Sequence, residues 1–223
     1  NTLSLHDALP ISLPDVTGST KYSQEIFSLY NAGVLTGSDV FGTFKPNDNI
    51  IRAEAAAILT RVALPEQRKT VVLMKQVQWG VAKLAIPQSA GAGVTENGMY
   101  TVTSEQDACG VIATSVTDSA YKGLSVTVLT EQQMNNILTQ AFNSTDGKLS
   151  NAKSTKVSFG SVKAYRTVGI LTTDEGAGDC LIFTYITGNK MDMICLLAYE
   201  NDTALKNMAN GLMVGGVTAS PQF

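Results

Sequence analysis

The sequence predicts an α+β protein in two parts, a short helical front segment and a longer antiparallel sheet flanked by helices. Three observations carry this. Apolar residues between Tyr22 and Val62 recur at helical spacing in two runs separated by glycines. Beyond Gln78, β-branched runs alternate with turn residues in a strand-like rhythm. Two marked helix starts, at Thr130 and at Asn201 or Asp202, interrupt and then close that run of strands.

In the front segment Tyr22, Ile26, Leu29 and Tyr30 fall at i, i+4, i+7 and i+8, one face of a helix. Ala55, Ile58, Leu59 and Val62 share a face in the same way. Gly33 and Gly37 stand where the first helix must stop and the chain turn. The loop that follows holds Gly42, Phe44 and Pro46, with Phe41 and Phe44 expected to plug the gap between the helix ends. Residues 65–69 (PEQRK) form a polar breaker. The expected division is therefore a helical segment at 13–64, a linker at 65–77 and an α+β domain at 78–223.

In the second part, residues 70–78 suit either a strand or a continued helix, and residues 80–86 read as a strand ending at Pro87. A small-residue loop is expected over 89–98, then strands at 99–104 and 108–116. Thr130 with Gln133 makes a capping box, opening a helix whose inner face is Met134, Ile137, Leu138, Ala141 and Phe142. Residues 143–148 (NSTDGK) end it with turn chemistry. Strands follow at 156–162, 164–172 and 179–187, and Gly188-Asn189 turns the chain into a strand at 191–199. Leu205, Met208, Ala209 and Leu212 form the inner face of the last helix, which Gly215-Gly216 is expected to close.

The chain has 223 residues, 44% hydrophobic and 16% charged, with a net charge of −3. That length allows two domains, and the absence of a basic surface argues against nucleic acid as a partner. No apolar run approaches the roughly 18 residues of a membrane span. Residues 1–12 carry no signal-peptide pattern and no initial Met. Residues 2–11 look like the translation of a sequencing-library adapter, an assembly scar to be excluded from fold reasoning. On that reading His6, the sole histidine, belongs to the scar, and the true N-terminus with its signal peptide has been lost.

Chemistry-bearing patterns are sparse. A triad or Cys–His pair needs a base beside the nucleophile, and His6 on a polar arm supplies none. Ser150 to Lys153 (SNAK) has the letters of a Ser-x-x-Lys dyad but is expected in a loop. Cys109, Cys180 and Cys195 are scattered, without metal-ligand spacing. Cys180 and Cys195 fall on the two arms of the last hairpin, where they are either bridged or small buried residues. Asn143, Thr145 and Asp146 lack the later glutamate of a calcium loop, and residues 174–180 (DEGAGDC) read as a hairpin tip rather than a phosphate cradle. No catalytic residue, metal site or cofactor is assigned.

The front segment does carry an ordered series of identities. Asp15-Val16, Tyr22, Ile26, Leu29-Tyr30, Gly33-Val34-Leu35-Thr36-Gly37, Gly42-Thr43-Phe44-Lys45-Pro46 and Arg52-Ala53-Glu54-Ala55-Ala56 closely resemble a surface-layer homology (SLH) repeat over about residues 13–64. One departure is plain. The Thr that usually opens the Thr-Arg-Ala-Glu motif is Ile51, which cannot cap, so Asn49 or a looser helix start must serve. The resemblance implies a non-covalent anchor to secondary cell-wall polysaccharide, often bearing pyruvylated sugars, on an extracellular bacterial surface. It implies that Arg52 contacts the anionic sugar, a role suited to a guanidinium at a helix start. Asp15, Gly37, Gly42, Phe44, Pro46 and Glu54 are implied to form the fold of the repeat. Family grooves form between repeats, so a lone repeat requires others upstream or associating chains.

The second part, about residues 78–214, is similar in element order to the Mog1/PsbP-type α/β/α sandwich, including the strand with Ala164-Tyr165-Arg166. That resemblance implies no chemistry. The expected protein is thus a wall-anchored, non-catalytic display or binding protein with an unidentified protein partner for its second domain. The alternative is an anchored enzyme or ligand-binding protein whose pocket lies in 78–223.

Overall fold

The structure, a computed structural model, describes residues 11–143 and 147–221. Residues 1–10, with His6 and most of the adapter-like stretch, and residues 144–146 of the predicted turn lie outside the described residues. Two compact units are present, Asn1–Lys75 and Gln76–Phe223.

The first unit contains α1 (Ser23–Asn31) and α2 (Arg52–Ala63). Its core gathers Leu13, Val16, Ile26, Tyr30, Leu35 and Leu73, with Ile11, Phe44, Ile58 and Val71 packed against it. Val71 and Leu73 come from the stretch expected as a linker. Lys69 N–H also donates to the Gly33 carbonyl at 3.0 Å, so this stretch is laid down as part of the unit. Tyr22 is left exposed at the start of α1 with φ of 63°, outside the helical face expected to hold it.

The second unit is α+β. A seven-stranded antiparallel sheet runs β3 (Val94–Glu96), β4 (Met99–Ser104), β5 (Cys109–Thr117), β9 (Lys190–Ala198), β8 (Gly176–Thr187), β7 (Val162–Thr173), β6 (Lys148–Phe159). A second sheet runs β1 (Met74–Trp79), β2 (Ala82–Pro87), β10 (Met213–Val214), β11 (Val217–Thr218). The remaining helices are α3 (Glu131–Asn143) and α4 (Asp202–Gly211), making four α-helices among the described residues.

The large sheet is covered on both faces, which is why β8 is buried continuously from Cys180 to Tyr185 instead of alternating. On one face α3 sets Met134, Leu138 and Phe142 against Leu149, Tyr165, Leu171, Cys180, Ile182, Cys195 and Leu197. On the other, α4 packs against β2, β8 and β9. There Phe159 meets Phe183 and Tyr185 edge-on at centroid distances of 5.7 and 6.2 Å. The helix starts follow the sequence. Thr130 Oγ1 accepts from Gln133 N–H at 3.2 Å while Gln133 Oε1 accepts from Thr130 N–H at 2.8 Å. Asn201 caps α4 by accepting from Ala204 N–H at 3.0 Å.

Four expectations are corrected. The loop at 89–98 contains the short edge strand β3, exposed throughout and therefore without an apolar signature. The strand expected at 156 begins at Lys148; its polar first half alternates poorly because the register shifts between Ser150 and Lys153, with Asn151 at φ of 54°. Gly215 and Gly216 do not close a helix but form the tip between β10 and β11, both at positive φ as a two-residue hairpin turn requires. Ile137, assigned to the inner face of α3, is exposed.

Candidate functional site

The chemistry-bearing geometry lies in the first unit, in the loop between α1 and α2. Asp15 reaches across the chain to accept the backbone N–H groups of Phe44, at 2.9 Å, and Lys45. Tyr30 donates its hydroxyl to the Gly42 carbonyl at 3.0 Å and meets the Phe44 ring edge-on. Burial, with the nearby charges of Asp15 and Asp39, pushes the Tyr30 phenol up to about 12, so it acts as a donor. Asp39 folds the loop on itself, accepting from Phe41 N–H at 3.0 Å, Thr43 N–H at 3.1 Å and Thr43 Oγ1 at 2.6 Å. Burial opposes the Asp39 charge, but the Thr43 hydroxyl and the N–H groups of Thr43, Phe41 and Gly42 outweigh it and hold the carboxyl below its usual value.

The glycines answer to close approach. A Cβ on Gly37, where φ is +76°, would lie 2.6 Å from Gly42 Cα. At Gly33 it would lie 2.3 Å from the Lys69 carbonyl oxygen.

Between this loop and α2 lies a groove of about 460 Å³. Tyr30, Leu35, Phe44 and Ile58 give it an apolar floor, Thr36, Ser38 and Thr43 hydroxyls, and Lys45, Arg61, Asp48 and Glu54 a mixed-charge rim. Arg61 is held in place by donating from Nη1 to the Val34 carbonyl at 3.0 Å.

Of the residues singled out from sequence, Asp15, Gly37, Gly42 and Phe44 meet in the loop, and Gly37, Phe44, Pro46 and Glu54 line the groove. Glu54 Oε2 accepts the Ile51 N–H at 3.0 Å, the acid half of a capping box. The other half needs a side-chain oxygen that Ile51 does not have. Asn49 does not take over, since α2 starts at Arg52 with Ile51 in the cap position. Arg52 is exposed at the first turn and is not among the groove-lining residues. Lys45 and Arg61, which do line it, were not singled out by sequence reasoning; Lys45 stood inside the motif, and Arg61 carried no signal beyond its place on α2.

Residues 12–56 match the model of the S-layer homology domain. A match to this family indicates cell-surface or S-layer association. No curated protein matches the chain. Among solved structures, the chain is similar to cyanobacterial PsbP (CyanoP) from Synechocystis sp. PCC 6803, solved in solution. Identity is 12%, 65% of this chain and 94% of that chain are covered, and the TM-score is 0.48. A crystal structure from Bacteroides thetaiotaomicron VPI-5482 is similar at 8% identity over 60% of this chain and 45% of that one, with a TM-score of 0.38.

In the first unit α2 is left without a buried residue. Ile51, Leu59 and Val62 are 61%, 67% and 52% exposed, and only Ile58 packs on the core. In the second unit, a smaller hollow of about 190 Å³ is lined by Val168, Asp179, Cys180, Asp202, Leu205 and Lys206. Ser150, expected in a loop, lies on β6 and donates to the Ile170 carbonyl at 3.4 Å. Ser89, Ser104 and Asp107 hydrogen-bond among themselves, and the Asp107 carbonyl accepts from Asn201 Nδ2 at 2.7 Å, so the cluster ties loops together. Among the described residues no group of three His, Cys, Asp or Glu side chains is placed to hold a metal ion, and no helix is long and apolar enough to cross a membrane.

Proposed function

We propose that the protein is a cell-surface tether. Its first unit grips secondary cell-wall polysaccharide, pyruvylated sugars included, and its second unit is a non-catalytic domain that binds a protein partner. The S-layer homology match at residues 12–56 is the observation that carries this reading. The groove beside that segment supports it. An apolar floor with Thr and Ser hydroxyls around it suits a sugar ring, and Lys45 and Arg61 can pair with an acidic substituent. Arg52, exposed on the first turn of α2 where the helix dipole adds positive potential, is the second contact in this proposal. The open Ile51–Leu59–Val62 stripe is where a neighbouring repeat or chain would complete the grip. Residues 1–12 are set aside as adapter-derived.

The test is retention on purified bacterial wall. The full chain should sediment with wall, lose retention when mild acid removes pyruvyl ketals, and lose most of it in Arg52→Ala and Arg61→Ala. Full retention in Arg52→Ala would take that residue out of the site. No retention of the unmutated chain on any wall preparation would end the tether reading.

A further inference from the structure

Cys180 and Cys195 stand on neighbouring antiparallel strands, β8 and β9. The register sets Ile182 opposite Cys195 and Cys180 opposite Leu197, so the two cysteines are diagonal neighbours. Both point to the α3 face, where they are buried together in one cluster with Ile182 and Leu197. The two thiols therefore share one buried patch on the same face of the sheet. The third thiol is kept apart. Cys109 on β5 is paired with Ala198, and strand alternation turns Ala198 away from the face that carries Cys195 and Leu197.

We propose that Cys180 and Cys195 are a disulfide-forming site that is oxidised by a small-molecule disulfide such as oxidised glutathione. A thiolate of the pair attacks one sulfur of the oxidant, forming a mixed disulfide and releasing one glutathione thiolate. The second protein thiolate then displaces the remaining glutathione, closing the Cys180–Cys195 bond. The protein gives up two protons and two electrons, and the oxidant leaves as two molecules of glutathione. Diagonal neighbours lie roughly 7–8 Å apart and a bridge wants Cα atoms closer than about 7 Å, so closure requires the backbones of the two strands to move together locally. The neighbouring Cys180 thiol, then burial, push the Cys195 thiol well above its usual value, which leaves it protonated and inert in the closed sheet. Exchange therefore proceeds while the β8–β9 hairpin forms or opens. Cell-surface association puts the chain where oxidants are met and disulfides persist.

The experiment refolds the reduced full chain in a mixture of oxidised and reduced glutathione, alkylates free thiols, and maps the unreduced digest by mass spectrometry. One bridge joining the peptides of Cys180 and Cys195 is expected, with Cys109 alkylated, so free thiols fall from three to one. The natively folded, reduced chain exposed to the same oxidant should reach the same product more slowly. Cys109→Ser should keep the bridge, and Cys195→Ser should lose it. Three alkylated thiols in a chain with native circular dichroism, a bridge to Cys109, or stable glutathione adducts at Cys180 and Cys195 would each overturn the proposal.

Discussion

Alanine at Gly37, Gly42 and Gly188 separates two costs that usually arrive together. Gly188, at φ of +63°, has nothing within 4 Å of a built Cβ, so Gly188→Ala meets only the left-handed backbone penalty of roughly 1–2 kcal/mol. At Gly42, φ +81°, the Cβ would press on Leu73 Cδ2 at 2.8 Å and Leu13 Cδ2 at 3.0 Å, ends of side chains that can rotate away. Its cost should exceed the reference by less than about 1 kcal/mol. At Gly37 the obstacles are the Gly42 Cα at 2.6 Å and carbonyl carbon at 2.8 Å, backbone held by Tyr30 and by the Ser38–Thr43 hydrogen bond. Nothing there can yield without opening the loop, so Gly37→Ala should cost about 3 kcal/mol or more. Hydrogen exchange of the peptides spanning residues 38–45 reads the first unit directly. Protection should fall by roughly a hundredfold in Gly37→Ala and about tenfold in Gly42→Ala. Equal losses at the two positions, or a Gly37→Ala loss no larger than Gly188→Ala shows in its own hairpin, would refute the close-approach reasoning.

Asn201→Ala removes both the α4 cap and the donor to the Asp107 carbonyl, and should lower stability of the second unit by about 1–2 kcal/mol in urea unfolding. Leu138→Ala empties a buried position beneath α3 and should cost about 3–4 kcal/mol, read as an earlier denaturant midpoint. Asp39 has a depressed folded-state value, so its contribution is present above the unfolded carboxylate range and is lost as pH falls through the folded value. Protection of the 38–45 amides should weaken on acidification over that window, and Asp39→Asn should flatten the dependence.

Much of the second unit was legible because its signals are local. The Thr130–Gln133 box, the Asn201 cap and the Gly188-Asn189 turn each depend on residues within one turn of each other, and each appears where expected. Edge strands were hidden for the opposite reason. A strand such as β3 or the first half of β6 is held by partner backbone rather than by its own apolar face, so nothing in its composition announces it. Gly215-Gly216 misled because glycines end helices and turn hairpins through the same left-handed freedom. Only the backbone pairing of Val214 with Val217 distinguishes the two.

In the front segment, helical spacing identified α1 and α2 but not which of them is buried. Ile26 and Tyr30 find Leu13, Val16 and Leu73 waiting for them, whereas Leu59 and Val62, equally apolar and equally periodic, face out. Periodicity records that a face is apolar; it does not record what covers it. The same limit applies to the groove. Asp15 and the Phe44–Lys45 amides are far apart in sequence and meet only because Tyr30 and Asp39 bend the loop back. Arg61 joins the rim from the far end of α2 through its bond to Val34. Motif identity found the residues that build the loop, and tertiary folding chose the cations beside it. The wall-retention contrast between Arg52→Ala and Arg61→Ala is therefore also a contrast between a cation chosen by motif and a cation chosen by geometry.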